Sequence, residues 1–304
     1  MRFPLSRPDL ERYATCSEAP ATSGGVIARF LGASSVLLSD GTTAVLTDGF
    51  VSRPGALRVA IGLITPDVRA VCEAHDRLGA PPIDAVVCVH SHYDHALDAP
   101  VWTGMTGADL VGSESTANIG RGLGVPEHRL RVVGDGDVLV YGAFRLSFVE
   151  SEHSPGDRFP GTVDVPLVPP RRSGAWRTGT VYSVFVEHPA GTLLLHGSAG
   201  FRPGALHGRN ADVVYLGVGM LSRRRPAFVE AYWDEVVRVT GARRVVPVHW
   251  DDFFAALNRP LRPLPRLVDD LDVTMGRLRV LAERDHVEVL LPAAWLPVDP
   301  FAHR

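Results

Sequence analysis

Apolar residues in this chain gather into short unbroken runs bounded by turn residues, and stretches of helical periodicity lie between them. Residues 26–31, 35–38 and 43–47 read as strands, parted by Gly32 and by the hairpin pair Asp40-Gly41. Pro66 opens a helix in which Val68, Val71, Cys72, His75 and Leu78 recur at helical spacing, stopped by Gly79 and Pro81. A buried strand at 85–89, a weak helix at 115–123 and three short strands between 130 and 149 follow. Residues 154–180 break the pattern with five prolines, several glycines and Arg171, Arg172 and Arg177, which predicts a loop or active-site lid rather than core. Strands resume at 181–186, 192–195 and 212–216. A helix begins near Pro226 with Phe228, Tyr232 and Val236 four apart, and a buried strand spans 244–248. Leu267, Leu271, Met275 and Leu278 mark a long amphipathic helix, and 286–291 a last strand.

Strands then helices, repeated in two similar halves, predict an α/β chain in which two sheets pack face to face with helices outside. No stretch has the composition of a linker, so residues 25–304 are expected to form one domain behind an irregular lead-in at 1–24.

At 304 residues and a net charge of −3, the chain can bury a large core and has no bulk charge that calls for nucleic acid. No apolar stretch reaches the length of a membrane span, and residues 1–20 lack the apolar core of a secretion signal. Three scattered cysteines (Cys16, Cys72, Cys88) give neither a disulfide framework nor a thiolate metal site, which suits the cytoplasm. All 31 basic residues are arginine, so Schiff-base and phosphate-loop lysines are excluded.

The chemistry is concentrated at residues 90–95, His-Ser-His-Tyr-Asp-His, on the loop that leaves the 85–89 strand. His90, His92, Asp94 and His95 are nitrogen and oxygen donors suited to zinc or another borderline divalent metal. Further ligands are needed from other strand ends. His153 lies just past the 130–149 strands, and His249 ends the 244–248 strand.

With these residues in view, the chain resembles the metallo-β-lactamase-fold superfamily. The resemblance runs from residue 26 to 291 and rests on the 90–95 block, His153, His249 and the segment from Gly32-Ala33-Ser34-Ser35-Val36-Leu37-Leu38 to Asp48. That segment and His249-Trp250 are similar to the branch holding sugar-lactone lactonases and N-acylphosphatidylethanolamine-type phospholipases. The resemblance implies a four-layer αββα sandwich. It implies one metal on His90, His92 and His153, a second on Asp94, His95 and His249, and Asp48 as orienter of a ligand histidine. One departure stands out. Where most hydrolases of the superfamily carry a bridging aspartate, Leu195-His196-Gly197-Ser198-Ala199-Gly200-Phe201 places Ser198. A neutral hydroxyl supplies no charge to hold two cations together, which weakens the case for two-metal phosphodiester chemistry. His196 is a candidate substitute ligand or proton donor, and equally a buried structural histidine.

The expected activity is that of a hydrolase using one or two zinc ions, with iron or manganese open, to activate water against a lactone, lactam or ester-like carbonyl. Asp94 would orient the water and take its proton, and Ser198 or His196 would stabilise the oxyanion. The rivals are a phosphodiesterase or phospholipase-type enzyme, an iron-dependent oxidoreductase, and a non-catalytic binding protein on the same fold. The partner is a small-molecule substrate, an anionic one if Arg171, Arg172, Arg177 and Arg223–Arg225 face it. Trp250, Asp251 and Asp252 follow His249 and are candidates to line the pocket, Trp250 equally for the core.

Overall fold

A computed structural model describes residues 5–21, 25–79 and 82–302. Pro81, one of the expected helix stops, and the Ser23-Gly24 end of the lead-in lie outside these residues.

The first half supplies β1 (Ile27–Gly32), β2 (Ser35–Ser39), β3 (Ala44–Thr47), β4 (Ile83–Val87), β5 (Asp109–Gly112) and β6 (Leu130–Val132). With β14 (Pro297–Val298) they form a seven-stranded sheet in the order β14-β1-β2-β3-β4-β5-β6. The second half gives β7 (Val138–Tyr141), β8 (Phe144–Ser151), β9 (Val181–His188), β10 (Gly191–His196), β11 (Val213–Gly217), β12 (Arg244–Val248) and β13 (Glu288–Val289), in the order β13-β12-β11-β10-β9-β8-β7. The central strands of both sheets, β3-β4-β5 and β10-β11-β12, run parallel. Parallel strands are covered on both faces, which is why their sequences read as solid apolar runs rather than alternating ones.

Strand alternation separates the layers. Val36, Leu38, Val45, Ala85 and Val87 face the second sheet and share a core with Leu146, Phe148, Val184 and Leu194. Their neighbours Leu37, Leu46 and Val86 turn the other way, onto a cluster with Val59 of α1 (Ala56–Ile61), Val71 of α2 (Val68–Leu78), Trp102 of α4 (Ala99–Thr106) and Ile119 of α5 (Glu114–Gly122). Outside the second sheet, Val229 and Tyr232 of α6 (Pro226–Trp233) and Leu271, Met275 and Leu278 of α7 (Leu271–Asp285) close the opposite layer. The result is the αββα order the sequence predicts.

Local chemistry sets the element ends. Asp67 caps α2 by accepting the Ala70 N–H at 3.2 Å, and Gly79 ends it in the left-handed region at φ 50°. The last long helix begins later than its apolar spacing suggests. Asp270 caps it through the Asp272 N–H, and Leu267 lies outside it, exposed. Helix α6 continues into wide turns over Asp234–Arg238. The lead-in is not wholly irregular, for Leu10–Cys16 forms a 3-10 helix that buries Tyr13. Among the described residues no helix is long and apolar enough to cross a membrane.

Candidate metal centre

The loop after β4 carries the 90–95 block, with His92 as the residue before the short helix α3 (Tyr93–Ala96). His153 follows β8 and His249 follows β12, so the first sheet contributes four of the candidate side chains and the second sheet two. They converge as His90, His92 and His153, and as Asp94, His95 and His249. Within each trio the donor atoms lie within 4.8 Å of one another.

Hydrogen-bond partners fix which ring nitrogen His95 and His153 can offer. His95 Nδ1 donates to Asp48 Oδ2 at 2.9 Å, which leaves Nε2 free. His153 Nδ1 donates to the Ser154 carbonyl at 3.0 Å, again leaving Nε2. Both ring nitrogens of His90, and Nδ1 of His249, are buried with no protein partner. Buried polar atoms are ordinarily paired, so unpaired imidazole nitrogens at a convergence of donors fit a divalent cation. Asp94 Oδ2 lies 3.3 Å from His249 Nε2.

Electrostatics favour the ligand forms of His90, His153 and Asp94. Burial and the neighbouring imidazoles hold His90 well below the ordinary histidine range. Burial, with His92 close by, brings His153 down to about 4. His249 moves the other way: burial alone lowers it, but the hydrogen bond and charge of Asp94 lift it above its usual value. Burial pushes Asp94 up, yet the hydrogen bond from His249 and the charges of His95 and His249 outweigh it, so the carboxylate stays ionised.

Behind the donors stands a network that ties distant loops together. Asp48, fully buried, accepts from His95, from Ser34 Oγ at 2.5 Å and from the Val89 N–H at 3.0 Å. The His249 N–H donates to the Ala33 carbonyl at 2.6 Å, and the Ala33 N–H donates to Asp251 Oδ1 at 2.7 Å. Asp251 is also paired with buried Arg53 at 2.7 Å. Asp251 therefore supports the ligand loop from beneath instead of lining a pocket, and Trp250 packs on Phe30 in the core.

Ser198 and His196 end up in different roles. Ser198 Oγ accepts the Ser154 N–H at 3.0 Å, beside His153. His196 has both nitrogens committed: Nδ1 accepts from Ser183 at 2.8 Å, and Nε2 donates to the Gly200 carbonyl at 2.7 Å. Burial takes it down to about 4, so it is a neutral brace for the 197–200 loop and not a free ligand or proton donor. That loop presses on His153, for a Cβ on Gly200 would lie 2.4 Å from the His153 carbonyl oxygen.

The expected lid is instead an anchored wall. Val163 N–H donates to Ser115 Oγ at 2.9 Å, Asn118 Nδ2 to the Val163 carbonyl at 2.8 Å, and Leu167 N–H to the Asn118 carbonyl at 3.0 Å. Arg171 and Ile64 pair through both backbone groups, and Trp176 is buried. Near its end Gly179 (φ 63°) passes so close to the ligand loop that a Cβ there would meet Ser91 Oγ at 2.8 Å. Of the arginines expected to greet an anion, Arg223 holds the Leu267 and Val268 carbonyls and Arg224 the Pro155 carbonyl. Sequence patterning points to none of Asp157, Thr178, Phe159 or Phe253. Asp157 and Thr178 touch His92, the Phe159 ring lies 6.2 Å from that of His92, and the Phe253 ring lies 5.1 Å from that of His249.

The fold has solved relatives at low sequence identity. Igni18, a metallo hydrolase from the hyperthermophilic archaeon Ignicoccus hospitalis, aligns with TM-score 0.56 and 16% identity over 90% of this chain and 97% of its own. An isothiocyanate hydrolase from Delia radicum gut bacteria aligns with TM-score 0.53 and 14% identity over 90% and 98%. CmlA, a diiron beta-hydroxylase from Streptomyces venezuelae, aligns with TM-score 0.54 and 13% identity over 91% of this chain and 54% of its own. No curated protein matches the sequence. A family model described as the metallo-beta-lactamase superfamily matches residues 28–283, and with the αββα layers and the two donor trios already in place, the chain belongs to that superfamily.

Proposed function

We propose that the chain is a zinc-dependent hydrolase acting on the carbonyl of a lactone, a lactam or an ester-like small molecule in the cytoplasm. The observation that carries this reading is the pair of trios, built of histidine and aspartate donors only, with both buried ring nitrogens of His90 left without a protein partner in the first. His90, His92 and His153 would hold one ion, and Asp94, His95 and His249 a second. Zinc so held makes water acidic enough to attack near neutral pH and polarises a carbonyl.

The remaining steps belong to the chain's own groups. The Asp94 carboxylate stays ionised and can orient an attacking water, take its proton and return it to the leaving group. Ser198 Oγ already accepts from Ser154, so its own hydrogen is free to donate to an oxyanion. The rings of Phe159 and Phe253 flank His92 and His249 and suit a substrate with an apolar body. Arg158, lying 5.6 Å over the Phe159 ring, offers a cation to an anionic substituent. Ser198, a neutral hydroxyl where the resemblance expects a bridging carboxylate, favours the carbonyl reading over a two-metal phosphodiester one.

The test joins metal content to a substrate panel. Purified protein is assayed by elemental mass spectrometry, then offered lactones, lactams, aryl esters and an aryl phosphodiester. Zinc with carbonyl turnover supports the proposal. Phosphodiester turnover alone replaces the substrate class, and iron with oxygen-dependent oxidation replaces the hydrolase reading.

A further inference from the structure

The wall that follows His153 folds back onto the first trio. Around His92 Nε2 lie Asp157 Oδ1 at 3.2 Å, Thr178 Oγ1 at 3.0 Å and the Phe159 carbonyl at 3.4 Å. The Thr178 hydroxyl donates to Asp157 Oδ2, so it turns a lone pair toward His92. Asp157 Oδ1 also accepts the Phe159 N–H at 2.9 Å, and the Thr178 N–H donates to the Phe159 carbonyl at 3.0 Å. Every group that faces Nε2 is therefore an acceptor. Only a ring protonated at Nε2 satisfies them, and such a ring has its lone pair on Nδ1.

His95 and His153 are held the opposite way, with protons on Nδ1. His92 is thus the ring that must offer Nδ1, because its Nε2 is turned to the acceptors of the wall. Two segments 21 residues apart, at Asp157 and Thr178, meet to hold it that way. We infer that Asp157 and Thr178 are positioning residues that lock His92 in its Nε2–H form and present Nδ1 to a metal shared with His90 and His153. The inference rests on that trio being a metal site. It makes the wall carrying Arg158 and Phe159 part of the metal centre's support as well as its boundary.

Asp157→Ala, Thr178→Val and Thr178→Ser decide it. Nitrogen-15 NMR of histidine-labelled, metal-free protein reads the ring tautomers, and competition with a chromophoric chelator reads zinc affinity. The expected result is an Nε2–H His92 in the wild type and in Thr178→Ser, and a mixed or Nδ1–H ring in the other two. Zinc affinity at the first position falls by about 10–100-fold in Asp157→Ala, the usual loss when a ligand histidine loses its outer partner. Metal-free melting temperatures of wild type, Asp157→Ala and Thr178→Ser stay within a few degrees of one another, because the Asp157 side chain is 20% exposed, so its removal opens no core cavity, and the Thr178 hydroxyl keeps the Phe159 carbonyl as a second acceptor. An unchanged tautomer and unchanged affinity in both disruptive variants overturn the assignment while leaving the metal site standing. Wild-type protein that takes up no zinc overturns both.

Discussion

Asp48 shows how one carboxylate can serve a whole site, since it takes hydrogen bonds from His95, Ser34 and the Val89 N–H. Asp48→Ala leaves three buried donors without an acceptor. Zinc at the Asp94, His95 and His249 position is expected to weaken by about 10–100-fold, read as a loss of metal on dialysis against buffered zinc. Asp98 gives a second residue-level test, away from the donors. Burial lifts its carboxyl to about 6 even though Ser52 and the Val51 N–H hydrogen-bond to it. The folded value lies above the unfolded one, so the native state holds the extra proton. Its stabilising contribution is complete below about pH 4 and is lost as pH rises through about 6. Asp98→Asn keeps an acceptor for the backbone N–H groups and cannot ionise. Its stability relative to wild type is expected to rise by about 2 kcal/mol from pH 4 to 7, measured by urea unfolding. The 90–95 block was legible because its donors sit within six residues of one another. Asp157 was not, because its partner His92 is 65 positions away and a proline- and glycine-rich stretch carries no periodicity to mark it.

At the scale of elements, segments that bury a full face read correctly, and those held mainly by tertiary contact did not. The 244–248 strand and the helix after Pro66 lie where their patterns put them, because each buries a full face. Strand β14 has two residues and is held by pairing with β1, so no local pattern announces it. Helices α1 and α4 escaped for the related reason that their burial comes from tertiary contact: α1 buries only Val59, and α4 packs Trp102 against Gly49, whose carbonyl takes the indole N–H. The 197–200 loop makes the element-level prediction. Gly200→Ala forces a methyl group against the His153 and Glu152 carbonyls, so stability should fall by about 1–3 kcal/mol. Zinc affinity at the His153 position should fall with it. Thermal melts with a zinc titration check both, and a variant that melts and binds as wild type refutes the close approach.

For the molecule as a whole, layer order was legible because alternate residues such as Leu37 and Leu38 are apolar for two different cores. What could not be read was how the two halves are joined at the open edge, since that depends on contacts such as Ala33 to Asp251 across 218 residues. Each donor trio draws members from both sheets. A bound ion is then a fastener between layers, and its contribution grows with free metal, reaching about 4 kcal/mol at a thousandfold excess over the dissociation constant. Chelation should therefore lower the melting temperature and speed hydrogen exchange at the 90–96 and 249–252 segments more than in strands far from the site. The seam between the sheets also acts as a gauge of supply. A chain made in a metal-starved cell would spend more time open at that edge, where proteases act, so its lifetime would track the cell's free metal before any substrate is met.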